Sequence, residues 1–372
     1  MTDLPVAATA MPTATDIERW LAADGAARPA RLARLRARLD AEGVDAYFGV
    51  RAEHSRYRVQ AAEECTDARV ADVYLDLAGR WPELLASLHP RRDRMRRVAV
   101  EAGFVSHTTW DLLARAAPDV ELVSAEGWLE ELRQVKEPAE LERVAAACAV
   151  ADAALVRLLP DIRAGVTEAE LALQLEWHMR TGGAEALAFD VACLSGPRAA
   201  LPHGSPGRRS VQAGQVLLFD FGAQVCGYRS DMTRTLFVGE PTARDLDIYG
   251  LVALAQGAAF AELSKAIVTG QAPLNRAVDA MARDVIVAAG HDQHFGHGLG
   301  HGIGLATHEL PSLGRLAVER PLPSPTVFSI EPGVYLDGEV GVRIEDLVVF
   351  DMGAGRAERL TGFSREVTVV GA

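Results

Sequence analysis

Apolar residues recur at two periods along this chain, and the change from one to the other marks its organisation. Leu32, Leu35 and Leu39 stand at helical spacing and Gly43 is a stop, which predicts a helix from about Pro29 to Glu42. Ala46–Val50 reads as a short strand, and Arg51–Ala68 is polar and unpatterned. Two more strands are predicted at Arg97–Glu101 and Val120–Ser124, separated by a helix near Thr109–Ala116. Strands alternating with helices predict a small α/β domain, residues 16–137, after about fifteen loose Ala/Thr/Pro-rich residues.

A different pattern follows. A helix over Trp128–Val135 leads into Lys136-Glu137-Pro138, where proline suits the first turn of a new helix running to about Leu159. Thr167 and Glu170 form a Thr-x-x-Glu capping box that opens a helix to about Arg180, ended by Gly182-Gly183. Thr242 starts another long helix, and a third runs from Pro273 to Gly290. Between them lie strand-like apolar runs at Val216–Phe221, Thr233–Val238, Val327–Ile330 and Val342–Phe350. Residues 138–372 are therefore expected to form an α+β domain, helices packed on a mostly antiparallel sheet.

At 372 residues, two domains is also the length expectation, and 49% hydrophobic with 24% charged residues excludes wholesale disorder. The 38 basic and 51 acidic residues leave a net charge of −13, which argues against nucleic acid or an anionic membrane surface as the main partner. Only Lys136 and Lys265 are lysines, a bias that reads as genome composition rather than function. The four cysteines are far apart with no Cys-x-x-Cys, which suits neither a disulfide framework nor a cysteine zinc site. No basic, apolar leader and no apolar run of about 18 residues is visible, so the expectation is a cytoplasmic protein without a membrane span.

Three segments carry the chemistry. In VLLFDFGAQVCGYRSDMTRTLFV an apolar strand ends at Asp220 and a second begins at Asp231. In FSIEPGVYLDGEVGVRIEDLVVF an apolar strand again runs into an acid, Glu331, and the return strand carries another, Glu345. FGHGLGHGIGLATHELP places His297, His301 and His308 in a glycine-rich surround. An isolated buried carboxylate is costly, so such acids neutralise, pair or bind a cation. Arg229, Arg234 and Arg343 are close enough in sequence to pair with any one of them, but four acids in two similar hairpins beside clustered histidines favour a cation site. Carboxylate-rich, imidazole-poor sites suit Mn²⁺ or Co²⁺, and four carboxylates with one imidazole suffice for two ions, a hydrolytic arrangement. The glycine-rich segment has no Walker lysine or Rossmann pattern, so it is not a phosphate loop.

These motifs, in this order, resemble the pita-bread-fold metallopeptidases: methionine aminopeptidase, aminopeptidase P and Xaa-Pro dipeptidase (prolidase). The likeness rests on the Asp–Asp spacing of eleven, GHGIG, a histidine seven residues on followed by Glu-x-Pro, IEPG and VRIED. It covers Pro138 to the C-terminus, and the preceding part resembles the creatinase/prolidase-type N-terminal domain. The resemblance implies that Asp220, Asp231, His301, Glu331 and Glu345 ligate two divalent ions, Mn²⁺ first with Co²⁺ or Zn²⁺ as alternatives. It implies that Glu331 also handles the proton of the attacking water, and that His203, in SGPRAALPHG, and His308 bind substrate and the developing oxyanion. Arg343 and Thr233 each stand two residues from an implied ligand, on the same strand face, and would orient it. Arg343 would also contact substrate. His297 would support the ligands rather than join them. His54, His107, His178 and His294 are read as ordinary histidines.

The implied activity is hydrolysis of Xaa-Pro bonds by a homodimer, with an Xaa-Pro dipeptidase favoured and an aminopeptidase P-type or other proline-specific exopeptidase as alternative. A metal-free creatinase-like hydrolase and a non-catalytic binding protein share the fold, but both go with lost ligands, and all five positions are filled here. Two departures bear on substrate choice. Val225 stands where the prolidase branch usually has tyrosine, and HSRYRVQAAEE stands where relatives usually carry Tyr-Leu-Thr-Gly-Phe. Arg51, Arg56 and Arg58 there offer either a guanidinium to a substrate carboxylate or a solvated basic loop.

Overall fold

In the computed structural model, residues 11–51, 53, 79, 81–83 and 96–371 are described. The chain divides into two compact units, Thr15–Arg133 and Gln134–Ala372, the latter joined by the residues before Thr15.

In the first unit, α1 spans Ala14–Glu42, starting well before the expected Pro29, which lies inside it. The alanines at 22, 23, 26 and 27 have the highest helix propensity and carry the helix through the proline. A buried Arg31–Asp24 pair at 3.2 Å spans the proline across about two turns. Strands β1 (Ala46–Phe48), β2 (Arg97–Val100) and β3 (Glu121–Ser124) form a parallel sheet in that order. Helix α2 (His107–Ala116), capped by Ser106, crosses from β2 to β3 and buries Leu113 with Val98 and Val100. Glu101 follows β2 and accepts from Tyr47 Oη and the amides of Val50 and Arg51. Helix α3 spans Trp128–Arg133.

The second unit opens on α4 (Pro138–Leu158), with proline at its first position and a Glu137/Glu140 capping box. The Thr167/Glu170 box opens α5 (Glu168–Thr181) as predicted. Thr242 and Asp245 form a third box, opening α6 (Ala243–Thr269), which ends at Gly270 with φ 69°. Helix α7 spans Asn275–Ala288. Ile248, Val252, Ala255, Ala259 and Leu263 of α6 and Val278, Ala282 and Ile286 of α7 build one core with the sheets.

Instead of one sheet there are two principal ones. The first has the order β17-β9-β6-β5: β5 (Ala192–Ser195), β6 (Gln215–Phe221) and β9 (Met232–Val238) are antiparallel, and β17 (Val369–Val370) is parallel to β9. The second is antiparallel throughout, in the order β11-β10-β12-β15-β16: β10 (Gly300–Gly302), β11 (Glu309–Leu313), β12 (Thr326–Ile330), β15 (Asp346–Asp351) and β16 (Arg356–Arg359). Two small sheets complete the unit. One is β13 (Gly333–Leu336) with β14 (Val340–Arg343); the other is β4 (Ala186–Leu187), β7 (Ala223–Val225) and β8 (Tyr228–Arg229).

One expectation is corrected. Val342–Phe350 is two strands in different sheets, because β14 pairs with β13 while β15 pairs with β12. Glu345 sits at the break, its amide donating to the Thr233 carbonyl at 3.1 Å. Helix α6, with 27 residues, is long and apolar enough by length and composition alone to cross a membrane. Its small apolar side chains face the unit's core, and Gln256 donates to the Ile330 and Ile344 carbonyls and to Asp346.

Candidate metal centre

Each predicted acid sits at or near a strand end, three of them just outside the ladder and Asp220 within its last rungs. Asp220 is next to last in β6, across from Thr233 in β9. Asp231 immediately precedes β9, Glu331 follows β12, and Glu345 occupies the break between β14 and β15. His301 is central in β10, where a side chain on the neighbouring Gly300 would overlap the Ser329 carbonyl, so only glycine fits.

The structure brings all five together. Asp231, His301 and Glu345 each present a donor atom, all within 4.8 Å of one another. His301 Nε2 lies 3.4 Å from Glu331 Oε1 and 3.7 Å from Asp231 Oδ2. Its Nδ1 donates to the Gly302 carbonyl at 3.0 Å, which fixes the tautomer and leaves the Nε2 lone pair facing the acids. Ser329 Oγ donates to Glu331 Oε1 and accepts from the His301 amide, both at 3.0 Å.

Does this cluster fit a metal better than a network of ion pairs? Of the three arginines near the acids in sequence, only Arg343 reaches them, at 2.6 Å from Asp220. Arg229 turns to the Ala188 carbonyl and Thr307, and Arg234 to Asp346. Four carboxylates thus share one guanidinium. Burial, then mutual repulsion, pushes the Asp231 and Glu345 carboxyls well above their ordinary range, and burial raises Glu331. Burial also lowers His301 and His308, so neither imidazole supplies a compensating charge. Asp220 Oδ1 and Glu345 Oε1 are buried with no hydrogen-bond partner. Unsatisfied carboxylate oxygens in a site this negative fit divalent cations.

Arg343 and Thr233 orient the acids. Thr233 Oγ1 donates to Glu345 Oε2 at 2.7 Å and accepts from Arg343 Nε at 2.9 Å. Arg343 also donates to the Pro202 carbonyl at 3.0 Å and to Tyr335 Oη at 2.9 Å. Tyr335 was not singled out from the sequence. Its hydroxyl donates to His297 Nε2 at 2.8 Å, while His297 Nδ1 donates to the Gly298 carbonyl at 2.7 Å. Both His297 nitrogens are therefore engaged away from the acids. The available signal was the hairpin itself, since Tyr335 pairs with Gly341 on the strand that carries Arg343.

A cleft of about 310 Å³ opens over the acids, lined also by Phe189, His203, Thr307, His308 and Ser312. His203 is exposed on the loop after Ala200, and the His308 ring lies 4.3 Å from that of His301. His107, His178 and His294 do not line it, and His54 lies outside the described residues. Val225 is buried in the β7–β8 hairpin. Arg51 is held by Glu130 at 2.8 Å over the Phe104 ring, which leaves it no free guanidinium, while Arg56, Arg58 and His54–Gln60 lie outside the described residues.

Fold and donor set together define a metallopeptidase, and comparison with known proteins agrees. Residues 142–351 match the model of metallopeptidase family M24, and residues 50–135 match the creatinase/prolidase N-terminal domain. The chain belongs to family M24 and has its pita-bread catalytic fold. It is 38% identical over 239 residues to an Xaa-Pro dipeptidase of Pyrococcus furiosus, covering 64% of this chain and 66% of that one. Among solved structures, an Xaa-Pro dipeptidase from Bacillus anthracis superposes with a TM-score of 0.83 at 29% identity, covering 92% and 100% of the two chains. An X-Pro aminopeptidase from Thermotoga maritima gives 0.71 at 34% identity, covering 87% of each.

Proposed function

We propose that this metallopeptidase hydrolyses the Xaa-Pro bond of dipeptides, using two divalent ions, Mn²⁺ first with Co²⁺ or Zn²⁺ as alternatives, held by Asp220, Asp231, His301, Glu331 and Glu345. The observation that carries the reading is the set of two buried and two half-buried carboxylates sharing one guanidinium. Bound there, two such ions supply Lewis acidity and a nucleophile at neutral pH. The protein supplies the rest. Glu331, raised by burial, takes the nucleophile's proton and returns it to the departing proline nitrogen. His203 and His308 face the cleft as donors to the substrate and to the oxyanion that develops on its carbonyl. Arg343 and Thr233 hold the acids in register.

Proline selectivity is supported by the relatives from Pyrococcus furiosus and Bacillus anthracis. A cleft of about 310 Å³ is at the small end for ligand sites and favours a short substrate. Release of proline from Ala-Pro or Met-Pro with added Mn²⁺, lost in Glu331→Ala, tests the proposal. No release from any Xaa-Pro substrate by metal-loaded protein overturns it. The Thermotoga maritima likeness supports the second reading, an Xaa-Pro aminopeptidase. A peptide panel varying length on both sides of proline separates the two. The proposal includes a homodimer, read by light scattering, and a cytoplasmic location, read by fractionation.

A further inference from the structure

The two lysines of this arginine-rich chain have different surroundings. Lys265 is exposed on α6, paired with Glu262 three residues away. Lys136 has a side chain only 1% exposed, its ammonium 3.2 Å from Glu309 Oε2 across 173 residues of sequence, and Glu309 is 4% exposed. Composition accounts for an exposed lysine. It does not account for a buried one that pairs across the sequence with the residue next to His308.

Glu309 opens β11 opposite Gly302, so residues 303–308 are the connection of the β10–β11 hairpin and His308 is its last residue. The second Glu309 oxygen, Oε1, reaches back across this connection and accepts from the Ala306 amide at 2.7 Å. One carboxylate thus joins Lys136 to the turn that presents His308 to the cleft. The fit is close. A methyl group built on Gly304 would lie 3.1 and 3.2 Å from the two Glu309 oxygens and 3.3 Å from Lys136 Cε. The compact ammonium on its slim stem suits so close a space, and the bulkier planar guanidinium is expected to place its charge differently.

The geometry points to Lys136 as a positioning residue for His308: the ammonium fixes the Glu309 carboxylate, the carboxylate fixes the Ala306–His308 turn, and the turn aims the imidazole at the substrate. This rests on the reading of His308 as a substrate and oxyanion donor. Removing the ammonium takes away the Lys136 end of the Glu309 bridge, and the turn that its other oxygen holds is expected to shift. Displacing a catalytic group by as little as about 1 Å can cost on the order of 100-fold in rate.

The test uses the full, metal-loaded chain with an Xaa-Pro dipeptide. Lys136→Met is expected to lower kcat about 10- to 100-fold with KM moved far less and metal stoichiometry unchanged by calorimetry. Lys136→Arg, which keeps the charge without the fit, is expected to stay low. Adding Lys136→Met to His308→Ala is expected to slow the enzyme no further. Gly304→Ala is a milder push on the same pair, is expected to lower kcat in the same sense, and serves if Lys136→Met does not fold. Wild-type kcat in Lys136→Met or Gly304→Ala, wild-type kcat in Lys136→Arg, or full additivity with His308→Ala overturns the inference while the proposed function stands. A metal-loaded wild type inert towards every Xaa-Pro substrate overturns both.

Discussion

Arg343 donates to Asp220 at 2.6 Å, and the same guanidinium holds Thr233, Tyr335 and the Pro202 carbonyl. Among the described residues it is the one guanidinium that reaches these two buried and two half-buried acids, yet it leaves Asp220 Oδ1 unpartnered. The fork therefore orients Asp220 without satisfying it. Lysine has the charge but lacks the geometry for four partners. Arg343→Lys is expected to lower kcat/KM about 100-fold and weaken metal binding about 10- to 100-fold, read by metal titration of activity and by calorimetry.

Thr233 is not among the proposed ligands, but its hydroxyl bridges Arg343 Nε and Glu345 Oε2. Thr233→Val keeps the shape and removes both hydrogen bonds. Metal affinity is expected to fall about 10- to 100-fold, while Thr233→Ser stays close to wild type. Equal affinities in the two variants would contradict this role.

The raised carboxyls give a signed pH dependence. In the metal-free protein, Asp231, Glu331 and Glu345 hold protons above the ordinary carboxylate range. Their stabilising contribution is fully present below the unfolded pKa values, near about 4, and is lost as pH rises through the raised folded values. Metal binding displaces those protons. Calorimetry in buffers of different ionisation enthalpy is expected to show proton release at neutral pH. The gain in melting temperature on adding metal is expected to shrink as pH falls towards 5. No proton release across pH 6–8 would contradict the account.

Beneath the site, Arg234 and Asp346 form a fully buried pair at 2.6 Å; Thr361 and Gln256 also donate to Asp346, and Arg359 and Arg365 approach its other oxygen at 3.4 and 4.0 Å. Asp346→Ala leaves the guanidinium without its carboxylate and is expected to cost roughly 3–5 kcal/mol, read by chemical denaturation. Replacing both partners with apolar residues is expected to recover part of that loss.

The acids were legible because each interrupts an apolar run, and a carboxylate in such a run calls for a cation or a pair. The Thr167 box, and the helix that Thr242 opens, were legible because capping is local. What the sequence concealed depends on long-range packing. Nothing local separates Arg343, which reaches Asp220, from Arg234, which reaches Asp346. Nothing local breaks Val342–Phe350 at Glu345, because the break comes from two different partner strands. Tyr335 looked like any aromatic in a strand, and Lys136 like a compositional remnant, until residues far along the chain gave them partners.

The central claim is that the buried acids exist to hold two catalytic metal ions. The most direct measurement titrates chelator-stripped protein with Mn²⁺ while following proline release from Ala-Pro and metal content in parallel. Activity is expected to be absent without metal, to rise to a plateau at two equivalents, and to be lost in Glu331→Ala. Full hydrolysis by the stripped protein, or none with two ions bound across a panel of Xaa-Pro substrates, would contradict the account.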